Sequence, residues 1–271
     1  MKIELTVMPS VGLSLAHQEN LRVTWNRRVV DPLAFVPHEE REKISPEKSL
    51  VENERLGAFA AQRLRKLLVK PDETTVMRRV AQRKKVVAGG YGRGYDSRWL
   101  QEATLVGFQT WWIDVSDLAC QWAVKSLEGQ FDELELPPTP WRLPRPRVIQ
   151  GEISNVLEDP GAVGLHLDSV EIWYLCRTLG FLSDRGVKVT LQVMGRSLRE
   201  EIDPGKRNVI LLVLALRDHN RNRIACTSKL HTLHRILANV RVGAGRGVKA
   251  DVVAQHQYYS QVYSAVEIRA K

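Results

Sequence analysis

The sequence has 271 residues, of which 44% are hydrophobic and 26% are charged. These proportions are ordinary for a globular protein and are sufficient for one large core. No run of about 18 apolar residues occurs, which excludes a predicted transmembrane helix, and residues 1–30 lack the apolar segment of a signal peptide. Three dispersed cysteines, Cys120, Cys176 and Cys226, do not suggest a disulfide framework or a zinc site. We therefore expect a cytoplasmic protein.

The formal net charge of +9 raises the possibility of a nucleic-acid partner. A modest basic cluster directly precedes a predicted strand: Arg78, Arg79, Arg83, Lys84 and Lys85. The remaining basic residues are spread from Arg27 to Lys271. We favour a solvated helix end for the cluster, because overall charge indicates non-specific attraction and not a particular function.

The first 80 residues predict an N-terminal helical lid. Apolar residues recur at helical spacing over residues 49–69, which predicts an amphipathic helix that ends near Pro71. A second short helix is predicted over residues 72–81.

From Lys84 onward, predicted strands alternate with predicted helices. The strands are expected at residues 85–88, 109–114, 147–151, 170–176 and 208–216, and the helices at 97–105, 118–131, 155–160, 187–201 and 228–240. Two further β-rich runs, 248–258 and 261–270, are separated by a couple of residues and predict a hairpin. This order is typical of an α/β fold: a doubly wound, mostly parallel, seven-stranded sheet with an antiparallel C-terminal hairpin.

Three glycines at alternate positions follow the first of these strands: Gly90, Gly92 and Gly94. A ligand that crosses the tips of parallel strands approaches the backbone closely, and a side chain there would block it. Asp114 closes the next strand, 20 residues after Gly94, where its carboxylate can accept hydrogen bonds from both hydroxyls of a ribose. Alternatively Asp114 only caps the following helix, although Ser116 and Asp117 can supply that cap.

The Gly-x-Gly-x-Gly spacing, with Asp114 at the end of the second strand, resembles the first two motifs of class I S-adenosylmethionine-dependent methyltransferases. In the dinucleotide-binding pattern the third glycine falls one residue later. Residues 147–153 resemble the family's third strand, which implies that Glu152 accepts from the adenine amino group and that Ile153 packs on the ring. Residues 204–205, which precede the strand at 208–216, and a reversed last strand at 263–270 extend the resemblance over about residues 84–271.

The resemblance implies a lid over residues 1–80 and an S-adenosylmethionine-binding domain over residues 81–271, with S-adenosylhomocysteine as the product. It places the cofactor site at Gly89, Gly90, Gly92, Gly94, Asp114, Val115, Glu152, Ile153 and Cys176. The chain departs from the family at Ala88, where members usually carry a carboxylate that contacts the methionine ammonium. That contact must therefore come from elsewhere.

The methyl acceptor leaves a fainter trace, because a direct displacement mainly requires that the acceptor be held in line with the methyl group. The sequence has no Asn/Asp-Pro-Pro-Tyr/Phe tetrapeptide and no Pro-Cys pair, which disfavours a nucleobase amine or a pyrimidine ring. We expect a small-molecule acceptor, in a natural-product biosynthetic reaction. His219 is the candidate base, and Arg177 either fixes an acidic substrate or pairs with Asp218.

Other interpretations stay open at this point. His231 and His234 lack the further ligands of a metal site. The aromatic residues Trp25, Phe35, Tyr258, Tyr259 and Tyr263 suit an aromatic acceptor cavity, the seam between lid and sheet, or the interface of a homo-oligomer. The alternative functions are an RNA methyltransferase, a dinucleotide-dependent oxidoreductase and a non-catalytic binding protein on the same fold.

Overall fold

A computed structural model of the chain describes residues 2–8, 15–34, 36, 38–68, 72–90, 98–132, 142–198, 208–218, 223–225 and 230–271. Within these ranges the strands are β1 Glu4–Val7, β2 Lys85–Gly89, β3 Gln109–Asp114, β4 Arg147–Gln150, β5 Val170–Cys176, β6 Val209–Asp218, β7 Arg223–Ala225, β8 Leu230–Thr232, β9 Val248–Tyr258 and β10 Gln261–Ala270. The helices are α1 Leu15–Val30, α2 Pro46–Leu67, α3 Glu73–Ala81, α4 Arg98–Leu105, α5 Asp117–Asp132, α6 Ile153–Glu158, α7 Asp184–Arg196 and α8 Leu233–Ala244.

The strands form one mixed sheet in the order β1-β4-β3-β2-β5-β6-β10-β9. The neighbours from β1 to β6 pair in parallel, and β10 runs antiparallel to both β6 and β9. This arrangement confirms the predicted mostly parallel sheet with an antiparallel C-terminal hairpin.

The predicted count of seven strands is wrong, because the main path of the sheet contains eight. The additional strand is β1, which pairs with β4 at the edge of the sheet. Its four residues, Glu-Leu-Thr-Val, are too few to predict a strand, and the apolar Leu5 and Val7 are exposed and do not pack in the core. Backbone pairing to an exposed edge, which leaves little pattern in a sequence, determines its structure. The short strands β7 and β8, which extend the sheet from β6, were not predicted either.

Two hydrophobic layers cover the two faces of the sheet. Successive residues of β3 point to opposite faces, so that Trp111 and Ile113 pack in one layer and Trp112 packs in the other. The first layer includes residues of α6, α7 and α8, and the second includes residues of α2, α4 and α5. Helices on both faces are the arrangement that right-handed crossovers between parallel strands produce.

Most predicted helices occur within a few residues of their expected bounds, and the differences have local causes. α7 begins at Asp184, earlier than predicted, because the Ser183 hydroxyl accepts from the Gly186 amide and caps the helix. The helix expected from residue 228 begins at Leu233, after β8. α1 was not predicted, since its apolar residues do not form a continuous stripe.

Candidate functional site

A cavity of about 1110 Å³, including its solvent-open part, lies at the carboxyl ends of β2, β3, β4 and β5. Its walls are formed by the residues that follow these four strands and by one face each of α1 and α2. Ligands of open parallel sheets bind in this position, outside the carboxyl ends of the strands. The two helices thus form one wall of the cavity.

The turn after β2 requires glycine for reasons that the structure makes explicit. Gly90 has a φ of +62°, a left-handed conformation, and a Cβ there would lie 2.6 Å from the Thr178 side chain. A Cβ on Gly89 would lie 2.1 Å from Ile153 Cδ1. The Thr178 hydroxyl also donates to the Gly89 carbonyl at 2.5 Å. Close packing around the end of β2 therefore excludes side chains at these positions. This is a second reason for glycine, in addition to the close approach of a ligand to the backbone.

Asp114 lies at the end of β3, lines the cavity and is only 4% exposed. Its Oδ1 accepts from the Ser116 amide at 2.9 Å. The cap of α5 is supplied by Ser116, whose hydroxyl accepts from the Ala119 amide at 3.1 Å. Because Ser116 carries out this role, the Asp114 carboxylate is not required as the helix cap. Val115, the next residue, lines the same cavity.

Glu152 and Ile153 follow β4 and also line the cavity. The Glu152 carboxylate accepts a hydrogen bond from the Ser154 hydroxyl. The backbone links this turn to the preceding strand end, since the Gly151 amide donates to the Asp114 carbonyl at 2.7 Å. The structure thus brings the two predicted acidic residues to adjacent strand ends.

Cys176 and Arg177 end β5 on the other side of β2 and complete the cavity wall. Burial raises the pKa of the Cys176 thiol to about 11, so that the thiol is protonated near neutral pH and is a poor nucleophile. Asp218, the alternative partner considered for Arg177, ends β6, and its side chain lies outside the described residues.

The Arg177 guanidinium contacts groups from distant parts of the chain. Its Nη1 donates to Asn53 Oδ1 at 3.0 Å, and the Tyr258 hydroxyl donates to the same oxygen at 2.8 Å. Its Cζ is 4.5 Å from the Tyr258 ring centroid and 5.0 Å from that of Tyr263. Burial raises the pKa of Tyr263, which keeps this phenol neutral. Tyr258 and Tyr263 therefore support the cavity from behind Arg177 and do not form its wall.

Asn53 was missed by the sequence interpretation although it lines the cavity and is only 2% exposed. It lies on α2 one turn before Leu56, on the apolar face that also carries Ala60 and Leu64. The signal that could have identified Asn53 from the sequence is therefore a polar residue within the apolar stripe of a predicted helix.

The lid helix α1 is attached to the beginning of α5 by polar contacts, a group that we call the lid clasp: Arg22, Asn26, Ser116 and Asp117. The Ser116 hydroxyl donates to Asn26 Oδ1 at 2.7 Å, and the Asn26 amide nitrogen donates to the Asp117 carboxylate. Arg22 Nη1 donates to the other oxygen of Asp117 at 3.0 Å. The clasp therefore fixes α1 two to three residues away from Asp114.

Aromatic side chains from α1 and from the turn after β5 meet at the cavity. Trp25 and Phe181 both line it, with ring centroids 5.2 Å apart in an edge-to-face arrangement. Arg28 stacks on the Trp25 ring, with its Cζ 4.9 Å from the centroid. These rings form part of the wall and join the lid to the sheet at the same time.

Ala88 has a structural explanation. In the sheet it is aligned with Trp112 on one neighbouring strand and with Tyr174 on the other. It is 1% exposed and packs in an apolar cluster that also contains Trp99. A carboxylate at this position would be buried among apolar and aromatic groups, which is energetically costly.

The structure brings together around one cavity most of the predicted site residues that it describes: Gly90, Asp114, Val115, Glu152, Ile153, Cys176 and Arg177. Gly89 lies directly beside this group, at the end of β2. Gly92, Gly94 and His219 lie outside the described residues, as does Phe35. Among the residues that the structure describes, no group of three or more His, Cys, Asp or Glu side chains could hold a metal ion.

No protein-family model and no curated protein matches the sequence. Among solved structures, the fold is similar to that of magnesium protoporphyrin IX methyltransferase from Synechocystis PCC 6803 with bound SAM, with 10% identity, a TM-score of 0.51, and coverage of 97% of this chain and 100% of that chain. The structure of the same enzyme with bound SAH gives 9% identity, a TM-score of 0.51, and coverage of 94% and 99%.

No helix in the described part of the chain is both long and apolar enough to span a membrane. The strand order, the antiparallel last strand and the similarity to these solved structures all indicate the same fold. The chain has the fold of the class I S-adenosylmethionine-dependent methyltransferases.

Proposed function

We propose that this protein is an S-adenosylmethionine-dependent methyltransferase that acts on a small-molecule acceptor. The observation that carries the proposal is the convergence of a buried carboxylate, a glycine turn and an acidic–apolar pair on one cavity: Asp114, Gly90, Glu152 and Ile153. These residues were selected from sequence motifs, and the fold places all four at the strand ends where ligands of such sheets bind.

In this proposal each group has a defined role. The Asp114 carboxylate accepts from the ribose hydroxyls, Glu152 accepts from the adenine amino group, and Ile153 packs on the ring. Val115, Cys176 and the backbone at Gly89 and Gly90 form the remaining described walls of the cofactor site, and Gly92 and Gly94 continue the turn. When bound, the cofactor supplies an electrophilic methyl group, and the protein holds the acceptor in line and excludes water.

The position of the lid supports a small acceptor. Residues 1–80 form the proposed lid and residues 81–271 the proposed cofactor-binding domain. α1 and α2 cover the cavity, and the clasp attaches α1 beside Asp114. A covered cavity of this kind excludes water from the reacting groups and limits the size of the acceptor. In this proposal His219 is the catalytic base, and the acceptor is a natural product or its precursor.

The basic cluster before β2 does not favour an RNA substrate. Three of its members are buried, at 8%, 9% and 3% exposure: Arg79, Lys84 and Lys85. Arg79 stacks on Phe108, and the Lys85 ammonium donates to the Ser169 hydroxyl. The cluster also lies at the start of β2, whereas the cavity lies at the end of that strand. Phosphate binding would require exposed cations.

The decisive measurement is calorimetric titration of the purified protein with S-adenosylmethionine, S-adenosylhomocysteine and the nicotinamide dinucleotides. We expect S-adenosylhomocysteine to bind with a dissociation constant in the micromolar range or tighter, and the dinucleotides not to bind. Replacement of Asp114 by Ala should weaken S-adenosylhomocysteine by at least about tenfold, because a charge-assisted pair of hydrogen bonds is lost. The variant Asp114→Asn keeps an acceptor for the Ser116 amide and tests the charge alone.

Asp251→Ala is the matched control, since this exposed carboxylate on β9 lies away from the cavity and pairs with Lys249, two residues before it, at 3.5 Å. It should bind like the wild type. Failure of the wild-type protein to bind either sulfur compound would exclude the proposed function, and preferential binding of a dinucleotide would favour an oxidoreductase. An RNA gel shift at physiological salt tests the remaining enzyme class, and the proposal predicts no complex.

A further inference from the structure

The cavity has two sides of different chemical character. Within the described part of the chain, the charged residues that line it all follow strand ends, and none of its lining residues on α1 or α2 carries a charge. We call the wall formed by α1, α2 and the turn after β5 the lid side. Its apolar residues are Leu21, Trp25, Val29, Leu56, Phe181 and Leu182.

Asn53 is the polar residue of the lid side, and the protein itself uses all its hydrogen-bonding positions. Its Oδ1 accepts from Arg177 Nη1 at 3.0 Å and from the Tyr258 hydroxyl at 2.8 Å. Its Nδ2 donates to the Pro32 carbonyl at 3.0 Å and to Ser49 Oγ at 3.4 Å. A side-chain amide has two donor hydrogens and two acceptor positions. Asn53 therefore offers a ligand no further hydrogen bond, and the described lid side is apolar in function.

Two aromatic rings form a corner of this wall. The ring planes of Trp25 and Phe181 are 87° apart and their centroids are 5.2 Å apart. Arg28 lies against both rings, with its Cζ 4.9 Å from the Trp25 centroid and 5.6 Å from that of Phe181, and holds them in this arrangement. Aromatic pairs favour offset-stacked and edge-to-face geometries. A flat ring that enters the corner can make both of these contacts at once.

Gly57 provides room for such a ring. It lies in the interior of α2, four residues after Asn53 and therefore on the same face of the helix, and it lines the cavity. Glycine is an unfavourable residue inside a helix. Because it has no side chain, a molecule in the cavity can lie close to the α2 backbone at this position, where a larger residue would occupy the space.

We infer that the methyl acceptor is an aromatic molecule whose uncharged ring system lies on the lid side against Trp25 and Phe181, and that Trp25 and Gly57 determine its selection. The inference rests on the proposed function, in which the cofactor occupies the strand ends and leaves the lid side to the acceptor. A charged ring would lose its hydration there without a polar partner on α1 or α2, which is energetically costly.

The experiment is calorimetric titration with three matched probes, on the wild type with and without S-adenosylhomocysteine. 2-Naphthol is the uncharged aromatic probe, decahydro-2-naphthol is its saturated counterpart, and 6-hydroxy-2-naphthoate carries a charge at the far end of the same ring system. We expect 2-naphthol to bind at least about fivefold more tightly than the saturated probe, because stacking is lost. It should bind at least about tenfold more tightly than the charged probe, because a carboxylate is desolvated.

Two substitutions test the named residues. Trp25→Leu should bring the affinities for 2-naphthol and decahydro-2-naphthol to within about twofold of each other, since an apolar wall is kept and the aromatic plane is lost. Trp25→Phe should retain most of the preference. A loss of structure alone would weaken both probes without removing the preference between them.

Gly57→Leu should weaken 2-naphthol by at least about fivefold, because the added side chain occupies the lid side. Gly129→Leu is the matched control: it adds the same side chain to a glycine in α5 that has no atom within 4 Å of an added Cβ. It should bind 2-naphthol as the wild type does.

The inference is overturned if the wild type does not bind 2-naphthol, or binds the saturated or the charged probe equally well. It is also overturned if Trp25→Leu, shown to be folded by circular dichroism, keeps the wild-type preference. If that variant does not fold, the wild-type probes and Gly57→Leu decide. Failure to bind S-adenosylhomocysteine is a separate result, which removes the proposed function while the titrations without it still test the lid side.

Discussion

The two ends of the cavity are constructed in different ways. At the β3–β4 end, Asp114 is hydrogen-bonded to Ser116 and Glu152 to Ser154, so that each carboxylate is positioned by a residue two places along the chain. At the β5 end, Arg177 is positioned by Asn53, which is 124 residues away in sequence, and Asn53 in turn by Tyr258, 205 residues away.

This difference has consequences for binding. A group held by its own turn keeps its position when neighbouring elements move, since the turn fixes its geometry. A group held by a helix and a hairpin from distant parts of the chain depends on the docking of both. We expect the β3–β4 end to be robust and the β5 end to be the more sensitive to changes in the lid and in the C-terminal hairpin.

The largest loss of stability is expected from substitution of Gly90, which lies between the two ends of the cavity. Gly90→Ala should lower the free energy of unfolding by about 2–4 kcal/mol, because a left-handed residue and a contact with Thr178 would both be strained. Urea denaturation provides the measurement. Gly129→Ala, in α5 with no atom near the added Cβ, should instead stabilise the protein by about 0.5–1 kcal/mol. Equal stability of the Gly90 variant and the wild type would remove Gly90 as a structural link between the ends.

A smaller loss of stability is expected when the lid clasp is disrupted, because the clasp attaches α1 to the β3–β4 end of the cavity. Burial raises the pKa of the Asp117 carboxyl, but the hydrogen bonds from Asn26 and Arg22 outweigh it, and the net pKa is lowered. The carboxylate therefore stabilises the fold above the ordinary aspartate pKa, and this contribution is lost as the pH falls through the lower value in the folded protein.

Asp117→Asn should accordingly lower the free energy of unfolding by about 0.5–1 kcal/mol at neutral pH, as expected for a partly exposed charged pair. Denaturation at a series of pH values should show the difference from the wild type disappearing in the acid range. A difference that stays constant with pH would mean that the charge of Asp117 does not attach the lid.

The smallest effect is expected from Cys176, which lies at the β5 end next to Arg177. Burial raises its pKa to about 11, so the thiol is protonated at neutral pH and is a poor nucleophile. Cys176→Ala should change the affinity for S-adenosylhomocysteine by less than about twofold, which is within a few tenths of a kcal/mol. A large loss in calorimetric titration would show that the β5 end acts through the thiol and not through the guanidinium alone.

The sequence interpretation succeeded where a structural feature depends on neighbouring residues. Strand–helix alternation predicted the parallel part of the sheet, and the close spacing of the last two β-rich runs predicted the hairpin of β9 and β10. Gly90 and Asp114 could be selected because a turn and a strand end leave a pattern of a few residues. The interpretation failed at α1, which has no continuous apolar stripe, and at β1, which is held by pairing to an edge strand.

By itself, the sequence determined the order of elements, the glycine turn and the acidic residues at the β3–β4 end, since each depends on contacts within a few positions along the chain. Only the tertiary structure decided that α1 and α2 cover the cavity, that three members of the basic cluster are buried at the opposite end of β2, and that Arg177 lies against Asn53, Tyr258 and Tyr263. These contacts join residues that are far apart in sequence, and their side-chain geometry is set by packing, which has no local pattern to reveal it.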